Sequence, residues 1–208
     1  MINMLWIGIT GPMGSGKSTV AEVLRQMRFA VLDADDVARK VLSPGTTGEA
    51  KVLQTFGQHL KDKNGSLDRR ALGRVVFGHP EKLAQLEDII HPLVRDEVAK
   101  SKATLRTQGC AAAFYDVPLL FEKNMQKDFD HILVVSAPLE LRKTRIQSRS
   151  QLTLEEIEER NSRHLPPAMK EKAASAVIHN SGALENLRQE ILVALKKLAI
   201  PLPPATNS

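Results

Sequence analysis

Gly11-Pro12-Met13-Gly14-Ser15-Gly16-Lys17-Ser18 reads G-x-x-x-x-G-K-S, and its setting decides the fold of this 208-residue chain. The apolar run Leu5-Trp6-Ile7-Gly8-Ile9 precedes it and predicts a buried strand, while Val20, Ala21, Val23, Leu24 and Met27 follow at helical spacing. A glycine-rich turn between strand and helix is the context of a phosphate-binding loop. At average residue frequencies the pattern arises by accident in on the order of one chain in a hundred of this length, and the flanks make accident rarer still. Gly11, Gly14 and Gly16 let the backbone wrap closely around phosphate oxygens and take positive φ angles. The helix starting near Lys17 adds unpaired N–H donors and the positive end of its dipole. In such a loop Lys17 reaches the β and γ phosphates of a nucleoside triphosphate, and the Ser18 hydroxyl takes a Mg²⁺ coordination position with Thr19 beside it. Gly14, Ser15, Gly16, Lys17, Ser18 and Thr19 form the expected nucleotide-binding set, with Ser18 as the metal ligand.

Composition narrows the class further. With 42% hydrophobic residues the chain can bury one substantial core, or one core and a small appendage. No apolar run approaches the ~20 residues that span a bilayer. The N-terminus has no basic region followed by an apolar one, so neither membrane insertion nor export is expected. Cys110 is the only cysteine, which excludes an internal disulfide and makes a reducing cytoplasm the expected location. It lies beside three alanines at the start of an apolar run, where an inert, half-buried thiol is favoured over a nucleophile. A net charge of +5 and a pI near 9.4 suit either nucleic acid or a small polyanion. Aromatic residues make up only 4% and none are interleaved with a basic stretch, which favours nucleotide over polynucleotide. The six histidines are scattered without metal-ligand spacing, so no zinc site is expected.

Phe29-Ala30-Val31-Leu32 predicts a second strand, running into Asp33-Ala34-Asp35-Asp36. Asp35 or Asp36 can cap a helix over 37–42. Asp33 stands at the strand's carboxyl end, where ligands gather in open α/β sheets. A carboxylate there can accept a hydroxyl proton or orient the hydroxyl for in-line attack, and a catalytic Asp33 is favoured over a structural one. Residues 43–110 show no obvious strand. Pro44-Gly45 and Asn64-Gly65 are turns, Asp68 caps a helix over 69–77, and the period of Leu83, Leu86 and Ile90 runs to His91-Pro92, which should kink or restart the helix. This stretch predicts a helical insertion that serves packing or holds a second substrate.

Ala111-Ala112-Ala113-Phe114-Tyr115 predicts a third strand whose end, Asp116, resembles a Walker B carboxylate. His131 to Ser136 predicts a fourth strand and Ala176 to His179 a fifth. Between them, Arg145 and Arg149 stand four apart on a helix over 138–149. Thr153 and Glu156 form a capping box for 154–164, and Pro166-Pro167 opens another helix. Solvated charge accounts for the two arginines as well as a lid that neutralises a transferring phosphoryl group does. An amphipathic helix over 184–198 closes the fold, and 201–208 is expected to be a disordered tail.

In chain order, the loop Gly11 to Ser18, Asp33-Ala34-Asp35 with Ala38-Arg39, Asn64-Gly65-Ser66-Leu67-Asp68-Arg69, His91-Pro92, Val117-Pro118-Leu119-Leu120-Phe121-Glu122 and Val177-Ile178-His179-Asn180-Ser181-Gly182 resemble the bacterial dephospho-CoA kinases over residues 4–195. The loop is common to all P-loop kinases; the other elements together are far more specific. The resemblance implies an α/β, three-layer P-loop NTPase fold in one domain over 1–200. Its five-stranded parallel sheet is flanked by helices, with a CoA-binding helical insertion at 44–110 and a lid at 138–175. It implies transfer of the ATP γ-phosphoryl group to the ribose 3′-hydroxyl of dephospho-CoA, giving CoA and ADP, the last step of CoA synthesis. ATP, dephospho-CoA and Mg²⁺ are the implied ligands, with no nucleic-acid or membrane partner and a monomer or weak homo-oligomer. By position, Asp33 matches the acid at the acceptor hydroxyl, Lys17 and Ser18 the phosphate and magnesium ligands, and Arg145 and Arg149 the lid arginines. Pro12-Met13, His164 and Ser175 depart from the residues usual in the family.

Two rival readings are testable. Another small-molecule kinase would share the loop and differ in its acceptor. A GTPase switch would need a guanine motif, yet Asp62-Lys63-Asn64-Gly65 lies outside a strand end and no Asn-Lys-x-Asp occurs.

Overall fold

The computed structural model describes residues 4–149 and 165–203. The apolar run ahead of the glycines forms β1 (Leu5–Thr10), and four further runs form β2 (Ala30–Asp33), β3 (Ala112–Asp116), β4 (His131–Ser136) and β5 (Ala176–His179). All pair in parallel, in the order β2-β3-β1-β4-β5. A parallel sheet is covered on both faces, which is why β1, β3 and β4 read as nearly unbroken apolar runs. The chain moves to one side of β1 for β2 and β3 and to the other for β4 and β5. The carboxyl end of β1 is therefore the switch point where open α/β sheets bind ligands, and the glycine loop leaves the sheet there.

Period-two alternation sorts the side chains. Ile7, Ile9, Phe114, Leu133, Val135 and Ile178 share a buried face with Val20, Val23 and Leu24 of α1 (Lys17–Gln26) and with Leu187 and Ile191 of α8 (Leu184–Lys197). Trp6 and Tyr115 point to the opposite face, with ring centroids 5.8 Å from each other and 6.5 and 6.3 Å from that of Phe129. Gly8 makes room there, since a Cβ would lie 2.6 Å from Leu120 Cδ1 and 3.1 Å from Phe129 Cγ.

Two compact units divide the chain: Met1–Asp33 with Leu105–Ser208, which holds the sheet, and Ala34–Thr104, which is helical. The helical unit contains α2 (Ala34–Val41), α3 (Thr47–Phe56) and α4 (Arg69–Val76) and most of α5 (Pro80–Thr107), around a core that includes Leu42, Val52, Leu60 and Leu72. Asp68 caps α4 as expected, accepting from Arg70 N and Ala71 N at 2.9 and 3.0 Å. The Ala71 N–H bond, opposed by partial desolvation and helped by the Arg70 N–H, holds the Asp68 carboxyl below its ordinary value. Glu49 is buried because its carboxylate accepts Gly45 N–H at 2.7 Å and Leu67 N–H at 2.9 Å.

Several expected boundaries move, three of them for a clear local reason. β2 begins at Ala30 because Phe29 N–H closes the end of α1 on Leu24 O at 3.0 Å, with Arg28 at φ 67°. Asp35 and Asp36 lie inside the first turn of α2, favoured there by the helix dipole, rather than ahead of it. α5 runs through Pro92 without restarting, since a proline removes one bond and this helix has 28 residues of neighbours to hold its course. The expected helix over 154–164 with its capping box, His164, the Arg149 side chain and residues 204–208 of the tail lie outside the described residues.

Candidate active site

The loop adopts the conformations its glycines permit. Gly14 and Gly16 have φ of 75° and 91°, and Gly16 is the residue immediately before α1. A Cβ at Gly14 would lie 2.7 Å from Arg142 O, and one at Gly16 2.0 Å from Asn180 Nδ2, so neighbours occupy the space of any larger residue. Ser15 is fully buried and its N–H closes a turn on Pro12 O at 3.2 Å. Lys17 lies back across the loop, with Nζ donating to Gly11 O at 3.3 Å. Ser18 is exposed at the second position of α1, and Thr19 N–H returns to Gly16 O at 3.0 Å. Ahead of that bond, the first N–H groups of a helix have no intrahelical acceptor and suit an anion.

Asp33 is the last residue of β2 and stands in register with Asp116, the last of β3, which in turn is in register with Ile9 of β1. The three form one row, so both carboxylates project from the face of the sheet on which Ile9 packs, the face covered by α1. With strands about 4.8 Å apart, Asp33 sits about 10 Å along the row from the strand that feeds the loop. Asp116 is 6% exposed and Asp33 half-buried.

Behind the loop, α6 (Leu139–Arg149) and the residue after β5 close in. Asn180, 5% exposed, donates from Nδ2 to Ser15 O at 2.8 Å. Arg145 donates to Ser15 O at 3.4 Å, Asn180 O at 3.2 Å and Asn180 Oδ1 at 3.3 Å, so its guanidinium stands against the loop. Arg142 is buried, and burial lowers its pKa while the nearby Glu171 carboxylate works in the opposite direction. Glu171 in turn accepts from Ser136 Oγ at 2.5 Å.

The Pro-Leu-Leu-Phe-Glu stretch ends in an ion pair. Lys170, in α7 (Pro167–Ala173), is wholly buried and lies 2.7 Å from Glu122 Oε1, which also accepts Leu165 N–H at 2.9 Å. Desolvation alone would raise the Glu122 carboxyl, but the Lys170 ammonium and the Leu165 N–H outweigh it and bring the group below its ordinary value. Ser175, one of the unusual positions, ties the start of β5 to β4: its Oγ accepts Ile132 N–H at 3.0 Å and its N–H donates to Ile132 O at 2.9 Å.

The family model for dephospho-CoA kinase matches residues 5–186. The chain belongs to the dephospho-CoA kinase family. It is 42% identical to a dephospho-CoA kinase of Bdellovibrio bacteriovorus over 195 residues, 94% of this chain and 96% of that protein. Among solved structures, a Thermus thermophilus protein superposes with TM-score 0.80 at 38% identity, covering 94% of this chain and 98% of its own. Dephospho-CoA kinase from Campylobacter jejuni follows with TM-score 0.70 at 28% identity, covering 93% and 96%. The family phosphorylates dephospho-CoA with ATP in the last step of CoA synthesis, and the chain is accordingly an ATP-dependent kinase. No helix among the described residues is long and apolar enough to cross a membrane.

Asn180 and Arg142, which border the loop, and the Glu122–Lys170 ion pair had no role assigned from the sequence. Asn180 follows a strand at the ligand-binding rim, a position that marks it out, although Asn-Ser-Gly reads equally as a turn. Lys170 carries no such signal, because Met-Lys-Glu-Lys on a short helix reads as a solvated face.

Proposed function

We propose that the chain transfers the γ-phosphoryl group of ATP to the ribose 3′-hydroxyl of dephospho-CoA, releasing CoA and ADP, with Asp33 at the acceptor oxygen. The row Ile9, Asp116, Asp33 carries this reading, because it sets a carboxylate two strands from the glycine loop on the face where α1 begins. Asp33 accepts the hydroxyl proton, or orients the hydroxyl for in-line attack as charge leaves it. Lys17 and the loop N–H groups hold the β and γ phosphates, and Arg145, already against the loop, with Arg149 neutralises the oxygens of the transferring group.

The donors at this rim fit Mg²⁺. The Ser18 hydroxyl in the first turn of α1 and the Asp116 carboxylate are hard oxygen donors that would hold the ion together with substrate phosphates and water. When bound, the ion supplies charge neutralisation at the phosphoryl oxygens. The single cysteine and the substrate pair support a cytoplasmic enzyme that meets only small molecules, as a monomer or weak homo-oligomer.

Asp33→Asn tests the assignment. Turnover should fall by two orders of magnitude or so, the usual scale of a general base, while ATP affinity by titration stays within about twofold. Unchanged turnover would remove Asp33 from the mechanism, and ³¹P NMR of the wild-type product places the new phosphate on the 3′-oxygen or elsewhere.

A further inference from the structure

Resting on the reading of the loop as a phosphate cradle, the geometry points to Asn180 as a positioning residue. It fixes the Ser15–Gly16 peptide so that the Gly16 N–H faces the phosphates. Asn180 is held at every polar atom: its N–H donates to Ser136 O at 2.7 Å, Nδ2 donates to Ser15 O at 2.8 Å, and its two oxygens accept from Arg145 at 3.2 and 3.3 Å. The neighbours determine which way the amide lies, since reversal would set Oδ1 against a carbonyl oxygen and the NH₂ against a guanidinium. A trans peptide carries its C=O and N–H in opposite directions. Holding Ser15 O toward Asn180 therefore turns the Gly16 N–H away from the packed side of the loop.

The hold is needed because the loop is built from residues that resist flipping poorly. Glycine populates both signs of φ, and Gly14 and Gly16 flank Ser15 at 75° and 91°. A flipped Ser15–Gly16 peptide would withdraw one donor and present a carbonyl oxygen to an anion, so the loss is counted twice. Asn180 also fills the volume next to Gly16, where a Cβ would lie 2.0 Å from Nδ2. The residue thus acts on phosphate through the backbone, from 165 positions away in sequence, without touching it. Contact with the nucleotide base is the competing role, and it predicts a different ligand dependence.

Titration calorimetry of the full chain with inorganic pyrophosphate and with ADP separates the two. Asn180→Ala should weaken both ligands by the same factor, about tenfold for a buried carbonyl that loses its short donor and keeps only the longer bond from Arg145 at 3.4 Å. In ¹H–¹⁵N spectra the Gly16 amide should also lose most of the ligand-induced downfield shift it has in the wild type. Weakening toward ADP alone makes Asn180 a base contact and overturns the proposal, as does unchanged affinity for both ligands. Asn180→Leu, of similar volume, repeats the comparison if the alanine loosens the fold. The wild-type spectra decide independently of either variant. Asn180 side-chain protons protected from solvent exchange and unmoved by pyrophosphate support the hold; rapid exchange contradicts it. A wild-type chain that binds no pyrophosphate overturns the cradle reading itself, and the role of Asn180 falls with it.

Discussion

Gly16 concentrates the constraints on the loop. Its φ of 91° disfavours any side chain, and the space a Cβ needs is taken by Asn180. Gly65 supplies the control, with φ 79° and nothing within 4 Å of a Cβ. Gly16→Ala should weaken ADP binding more than tenfold, whereas Gly65→Ala carries only the backbone penalty of about 1 kcal/mol and leaves ADP binding intact. Equal ADP affinity in both variants would show that the crowding at Gly16 does not matter. At this scale the sequence was informative about residue type and less so about contact. Lys17, Ser18 and Asp33 declare themselves by spacing and by strand ends. The shorter of the two bonds to Ser15 O comes from 165 residues on, and the pairing of β4 with β5 brings that donor there.

Elements show how burial reverses a charge pattern. α7 carries Lys170 and Lys172 and reads as solvated, yet Lys170 is wholly buried because Glu122 waits 2.7 Å away. Lys170→Met removes the ammonium that balances that buried carboxylate and should cost about 3 kcal/mol in urea unfolding near neutral pH. The folded-state pKa of Glu122 is depressed, so the stability it contributes is present above its unfolded value of 4.5 and is lost as pH falls through the folded value. In the variant, acid instead relieves the stranded charge. The gap between the two proteins should therefore narrow toward about pH 4; a gap that stays constant would mean that lost packing, not charge, sets the cost. α5 offers the complementary case. Pro92 interrupts its ladder, and Pro92→Ala restores one N–H bond in mid-helix, which should raise the unfolding midpoint by the equivalent of about 1–3 kcal/mol. A lower midpoint would mean that Pro92 is fitted to its surroundings in a way that outweighs the bond. Strands were legible to within a residue because the buried parallel sheet demands continuous apolar runs. The continuity of α5 was not, since local rules read Pro92 as a break and the helix's own length overrides them.

At the scale of the molecule, the strand order makes the site. With β3 and β4 on either side of β1, the glycine loop emerges at the point where the connections diverge, and the carboxyl ends of β2 and β3 bring Asp33 and Asp116 to the same rim. The alternation of strands and helices made this architecture legible, because a right-handed, parallel α/β sheet has few ways to be wound. The acceptor was not legible in the same way: phosphoryl transfer follows from the loop and the rim, while dephospho-CoA follows from membership of a family whose model spans residues 5–186. The most direct measurement is ADP release from ATP and Mg²⁺ with dephospho-CoA, set against adenosine and AMP as acceptors, with product masses recorded. ADP formed only with dephospho-CoA, alongside a product heavier by one phosphoryl group, is the expected result. ADP formed with adenosine or AMP and not with dephospho-CoA would contradict the assigned acceptor.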